Sequence, residues 1–277
     1  MRARNAHRAY AQDMIRRQTH FRFRLLAPLL VTCSACSTIR PPVRFQDESS
    51  DVSIILGVEP EMFPETWLQA GIKAEASPLD RSEEQRSLAI VKRALAKYPN
   101  SLLHENLERL YVVGKLDFSG ITCGGTNSRE RLYHVNGGVS KWYTDEIIER
   151  GIHHEFSSIL LRNYQKKLNR PEWDAVLPVG FQYGDDGVQA VIDGKAATAL
   201  NEGMMENGFL SEYALSSFEN DFNLIAERLF MYSEALFALG KKYPKLGKKN
   251  SIVIKFYHEL NPIFTEAYFR GSEFNLH

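Results

Sequence analysis

Hydrophobic positions along this chain switch between a period of two and a period near three and a half, and each switch marks an element. Val52-Ser53-Ile54-Ile55-Leu56 reads as a strand, and Leu88 to Leu95, led by Ser82-Glu83-Glu84, reads as an amphipathic helix stopped at Pro99-Asn100. Leu110-Tyr111-Val112-Val113 and Arg131-Leu132-Tyr133-His134-Val135 flank the turn-rich Cys123-Gly124-Gly125-Thr126-Asn127 and predict two paired strands, a hairpin leading into a helix. In that helix Ile148, Ile152, Phe156, Ile159 and Leu160 recur at steps of three and four, so one stripe faces a core. His154, Glu155 and Ser158 fall off the stripe, where they can line a cleft. Residues 172–187 read as loop. Ser216-Ser217-Phe218-Glu219 has the form of a capping box ahead of Phe222, Ile225, Leu229 and Tyr232, a further helix. Lys241 to Lys249 reads as a basic loop and residues 252–269 as a final helical region. The mixture predicts an α+β fold with a small sheet and a motif-bearing helix, and no internal repeat is visible.

Composition changes this picture little. The 277 residues are 44% hydrophobic and 25% charged, ordinary for a globular domain. Thirty-four basic residues balance thirty-four acidic ones, which argues against nucleic acid as a partner. The N-terminus is different in kind. Arg2, Arg4, Arg8, Arg16, Arg17, Arg22 and Arg24 precede the apolar run Leu25-Leu26-Ala27-Pro28-Leu29-Leu30-Val31, which is too short to span a bilayer, and then Cys33-Ser34-Ala35-Cys36. This order is that of a secretory signal, with Met1 or Met14 as its start, and its end resembles a bacterial lipobox. The expectation is a signal peptide over 1–35, lipidation at Cys36 with Cys33 as the second choice, a tether over 36–51, and a folded domain over 52–277. Ser37 after the cysteine, rather than Asp, points to the outer membrane, so the chain is expected in the bacterial cell envelope, held to the membrane by its N-terminal lipid. Once processed at Cys36, the mature chain retains only Cys123 beside its lipidated residue, which excludes an internal disulfide between free thiols.

The candidate chemistry lies in His153-His154-Glu155-Phe156-Ser157-Ser158. In the zinc motif H-E-x-x-H two imidazoles four residues apart share a metal, while the Glu beside the first polarises a metal-bound water. Here Ser158 stands where the second imidazole would be. Farther on, Glu219, Asn223 and Glu227 are spaced by four and share one helix face.

His154-Glu155-Phe156, the segment Leu177 to Gly184, Gly208-Phe209-Leu210-Ser211-Glu212-Tyr213-Ala214 and the acidic helix after Ser216 together resemble the zinc-binding metallopeptidase lipoproteins, distantly similar to the catalytic domain of anthrax lethal factor. The resemblance spans roughly residues 105 to 235 and lies in the order of the four motifs. It implies a zincin-like fold of the gluzincin type, a zinc cofactor, a peptide or protein substrate and Glu155 as general base; the spacing by four on the second helix offers an alternative ligand set, His154 with Glu219 or Glu227 plus Asp221 or a neighbouring His. His153, Ser158, Asp221 and Asn223 are further candidates, with His134 a neighbour that could complete a site. The sequence departs from the family twice, at Ser158 in place of the second histidine and at Asn223, one turn before Glu227, where the family has a glutamate.

Each residue has a structural alternative. His154 and Glu155 could be a hydrogen-bonded pair on a helix face; Ser158 could ease helix packing; Glu219 could cap its helix; Glu227 with Arg228 could be surface charge. Cys123 with His134 could form a nucleophilic pair, and Tyr133, Tyr183 or Tyr213 could stabilise an oxyanion. Two functions follow: a zinc-dependent hydrolase of peptide or other amide bonds, or an inactive zincin-like protein whose cleft and edge strand bind a peptide or envelope partner. A purely structural lipoprotein is the third.

Overall fold

The computed structural model describes residues 41–184 and 187–271, and the signal peptide, Met14, Cys33 and Cys36 lie outside them. The described chain is α+β. Its larger sheet has five strands in the order β1 (Val43–Asp47), β2 (Val52–Leu56), β4 (Arg109–Val113), β8 (Arg131–Val135) and β7 (Gly125–Ser128). A smaller sheet joins β3 (Ala74–Ser77), β5 (Lys115–Phe118) and β6 (Ile121–Cys123). The longer helices are α1 (Glu84–Leu95), α2 (Asn100–Asn106), α3 (Asp145–Asn163), α4 (Phe218–Met231), α5 (Ser233–Lys242), α6 (Pro244–Leu260) and α7 (Glu266–Gly271).

The period of two in the strands decides which layer goes where. Ile54, Leu56, Leu110, Val112 and Leu132 point to one face and share a core with Ile148, Ile152 and Phe156 of α3 and Phe222, Ile225 and Leu229 of α4. Ile55, Tyr111, Val113, Tyr133 and Val135 point to the other face and pack with Phe63, Leu116 and Trp67, beneath the smaller sheet. Helices therefore cover one face and the small sheet covers the other. Among the described residues no helix is long and apolar enough to cross a membrane.

Several expectations change here. Leu110–Val113 and Arg131–Val135 do pair, but in parallel, with Leu110 opposite Leu132; the antiparallel partner of β8 is β7, with Gly125 opposite His134. A parallel pair needs a long crossover, and β5, β6 and β7 supply it. Part of the expected tether is structured, since Val43–Asp47 forms β1 and pairs antiparallel with Val52–Leu56, so the sheet begins before residue 52. Pro99 does not only end a helix; it precedes α2 as its N-cap. The cap of α4 is Ser217, whose hydroxyl accepts from the Asn220 amide, rather than Ser216. The lysine-rich stretch 241–249 is not a loop: Lys241 and Lys242 end α5, and Lys245, Lys248 and Lys249 lie in α6, which Pro244 opens.

Candidate functional site: a hydrogen-bonded face between two helices

Thr144 starts α3 by accepting a hydrogen bond from the Ile147 amide at 3.3 Å, with Asp145 and Glu146 in the first turn, where the helix dipole favours carboxylates. The helix then lies over β7 and β8 on one side and along α4 on the other. Gly151 permits the close approach to the sheet. A Cβ at this position would come within 1.9 Å of His134 Nε2, so no side chain fits there while His134 keeps its place. Gly125 on β7 is similarly tight, its ideal Cβ lying 3.1 Å from Glu155 Oε1.

Successive turns of α3 present Arg150, His154 and Ser158 toward α4, and α4 answers with Glu227 and Asn223. His154 Nδ1 lies 2.9 Å from Glu227 Oε2. Glu227 Oε1 accepts from Arg228 at 2.8 Å and lies 3.5 Å from the Arg150 guanidinium. Asn223 Nδ2 donates to Ser158 Oγ at 2.6 Å, both residues being buried. On the sheet side, Asn127 Nδ2 donates to Glu155 Oε2 at 2.7 Å, and Arg162 donates to Asn127 Oδ1.

Burial and charge oppose each other through this face. Burial lowers the His154 pKa, but the hydrogen bond and charge of Glu227, with the charges of Glu155 and Glu219, outweigh it and hold the imidazole above its usual value. Burial raises Glu227, yet His154, Arg228 and Arg150 together bring its carboxyl below the usual range. Glu155 is raised, chiefly by burial and further by Glu219 and Glu227, against His154 and Asn127, which lower it. Glu219 itself is exposed on the first turn of α4.

The remaining candidates lie elsewhere. His153 points away into the core: its side chain has no exposed surface, Tyr98 hydroxyl is 2.8 Å from Nδ1, and the ring stacks on Phe230. Asp221 turns from α4 toward α6, where buried Lys249 and the Tyr183 hydroxyl both bond to Oδ2. Of the three tyrosines, Tyr133 donates to the Met62 carbonyl across the sheet and Tyr183 is held between Trp173 and Asp221. Only Tyr213 reaches the face, its ring stacked 6.3 Å from His154 and its hydroxyl bonded to Asn220. Burial, with the charges of Glu155 and Asp117, pushes the Cys123 thiol up to about 12, and burial brings His134 down to about 4. Such a thiol carries almost no thiolate at neutral pH and is a poor nucleophile. Arg150, Asn127 and Arg162 were missed from the sequence. Arg150 was findable, because it sits four residues before His154 and so shares its helix face; the other two depend on the pairing of β7 with α3.

These donors do not fit zinc. The carboxylate nearest His154 has its oxygens committed to an imidazole and two guanidiniums, and those guanidiniums would repel a divalent cation. Ser158 and Asn223 are bonded to each other, and both are neutral. Asn223 Oδ1 is buried without a hydrogen-bond partner among the described residues, yet one amide oxygen and one imidazole are a weak set beside the three charged or imidazole ligands that zinc sites use. Among the described residues no three His, Cys, Asp or Glu side chains stand together to share a metal ion.

No family model matches the chain, and no curated protein matches it. Among solved structures the chain is similar to "a putative zinc-binding metallo-peptidase from Bacteroides caccae", with a TM-score of 0.44 and 16% identity, over 72% of this chain and 79% of that one.

Proposed function

We propose that this protein is a lipid-anchored component of the bacterial cell envelope that binds an extended peptide or protein segment along the edge strand β7, without metal. The single observation behind the reading is that the side chains that would hold zinc are tied to one another, His154 to Glu227 and Ser158 to Asn223. An interlocked face of this kind fixes α3 against α4 and leaves the edge of β7 as the surface open to a partner. β7 is the last strand of its sheet, and apart from its pairing with β8 and the bond from Val135 to Gly124 beside it, no backbone hydrogen bond engages this strand among the described residues. Such an edge is a template for a peptide strand. Envelope placement rests on the basic, apolar and cysteine-ended order of residues 1–36.

A zinc-dependent hydrolase of amide bonds, with Glu155 as general base, is the competing reading. One observation favours it: Glu227 holds His154 through Nδ1, as a carboxylate orients a metal-bound imidazole. Elemental analysis of the full chain, purified without an affinity histidine tag and dialysed against zinc, separates the two. The expected result is far less than one zinc per chain, unchanged by His154→Ala. About one zinc per chain, lost in His154→Ala, would overturn the binding reading and make peptide hydrolysis, abolished by Glu155→Gln, the next assay.

A further inference from the structure

At the C-terminal end of β7 a cavity of about 600 Å³ opens between the strand, the end of α3 and the segment carrying Trp67. Arg129, Arg131 and Arg162 line it, together with Glu108 and Glu130. The charges are not equivalent. Glu108 lies 2.8 Å from Arg109 and 3.6 Å from Arg131, and Arg131 also donates to the Glu61 and Met62 carbonyls, so this acid and this guanidinium are already engaged. Arg162 is exposed and, among the described residues, bonds only to a neutral group, the Asn127 amide oxygen. Arg129 is exposed and has no side-chain partner among the described residues. Two guanidiniums therefore face a cavity with one free carboxylate, Glu130, and the excess is positive.

We propose that this cavity is a specificity subsite for the carboxylate of an Asp or Glu side chain in a peptide paired along β7. The inference rests on the reading of β7 as the binding edge. A guanidinium offers paired N–H donors matched to the two oxygens of a carboxylate, and a phosphate-free peptide has no other group of that charge and shape. The strand places the subsite in register with its own edge, because Asn127 and Ser128 belong both to β7 and to the cavity wall. Arg162 also touches the helix face through Asn127, whose other amide atom donates to Glu155. Occupation of the cavity thus pulls on the same asparagine that positions Glu155.

Fluorescence anisotropy on the full chain tests this, with labelled, end-blocked hexapeptides of alternating Thr and Val that carry Glu, Gln or Lys at one central position. The Glu peptide is expected to bind about fivefold or more tightly than the Gln peptide, the size of one good exposed ion pair, with Lys weakest and the preference shrinking in high salt. Arg129→Gln, whose side chain supports nothing in the fold, should reduce the Glu to Gln ratio to within about twofold. Equal affinities for all three peptides, or an undiminished ratio in Arg129→Gln and in the Arg129→Gln, Arg162→Gln double variant, would overturn the subsite while leaving β7 as the binding edge. Binding of none of the peptides would sink both.

Discussion

His153 gives the sharpest quantitative test of how this molecule uses its histidines. Its ring is fully buried, with Nε2 standing 3.9 Å from Glu149 Oε1, too far for a hydrogen bond. Burial drives its pKa from 6.5 down to about 4; Lys97 adds to the effect, while Glu149 and Glu227 oppose it. The unfolded chain therefore takes up a proton near pH 6.5 that the folded chain refuses until about pH 4, and stability falls as pH drops through that window. At pH 4.5 the cost is roughly two pH units at 1.36 kcal/mol each, about 3 kcal/mol, against a typical total of 5–15 kcal/mol. Urea unfolding of the wild type and His153→Gln at pH 7.5 and 4.5 isolates this group, because the other titrations occur in both proteins and cancel. Glu149, brought down to about 2 despite its burial by the neighbouring His153 ring and by the close cations Lys97 and Arg93, stays ionised throughout that range. The stability difference between wild type and variant should move by about 3 kcal/mol toward the variant at the lower pH. A difference that changes by less than about 1 kcal/mol would refute the reasoning, since it would mean that His153 titrates like a solvated imidazole.

Glu227→Gln should lower the His154 pKa, read by NMR as a titration midpoint at lower pH, because burial is then opposed by less negative charge. In the wild type the raised His154 and lowered Glu227 set the window of this pair. Its stabilisation is complete between the ordinary values of 4.5 and 6.5, lost above as pH rises through the His154 value and lost below as pH falls through that of Glu227. Cys123 should alkylate with iodoacetamide at pH 8 about a thousandfold more slowly than an unperturbed thiol, because a pKa moved from 9.0 to about 12 cuts the thiolate fraction by that factor, measured by mass spectrometry of its tryptic peptide; labelling at an ordinary rate would show the thiol to be solvated.

Legibility in the sequence followed the range of each interaction. The stripe of Ile148, Ile152 and Phe156 and the run Val52 to Leu56 report local periodicity, and both became buried elements at those residues. Lys249 misled for the same reason: four lysines nearby look solvated, whereas Asp221, Trp173 and Phe209 on other segments make a buried place for its ammonium. The parallel pairing of β4 with β8 was illegible because three short strands intervene, and their Gly-rich sequence reads as one turn. At the helix face, the facing positions of α3 and α4 could be listed from spacing by four. Which partner each would choose depends on the crossing of two helices far apart in sequence, and only that crossing sets Glu227 on His154 and Asn223 on Ser158.

The placement of α3, with the sheet beneath it, α1 and α4 along its flanks, an ion pair leaving it at Arg150 and hydrogen bonds at His154, Glu155 and Ser158, has a consequence for the entropy of recognition. A helix enclosed in this way opens only when the whole domain does, so its amides belong with the slowest to exchange. On the proposed reading, the surface beside β7 is thus built before a peptide arrives, and the ordering cost of that complex would fall on the incoming chain. Stiffening that chain, by cyclisation or by alternating β-branched residues, is then the direct route to tighter binding, whereas loosening the protein offers none.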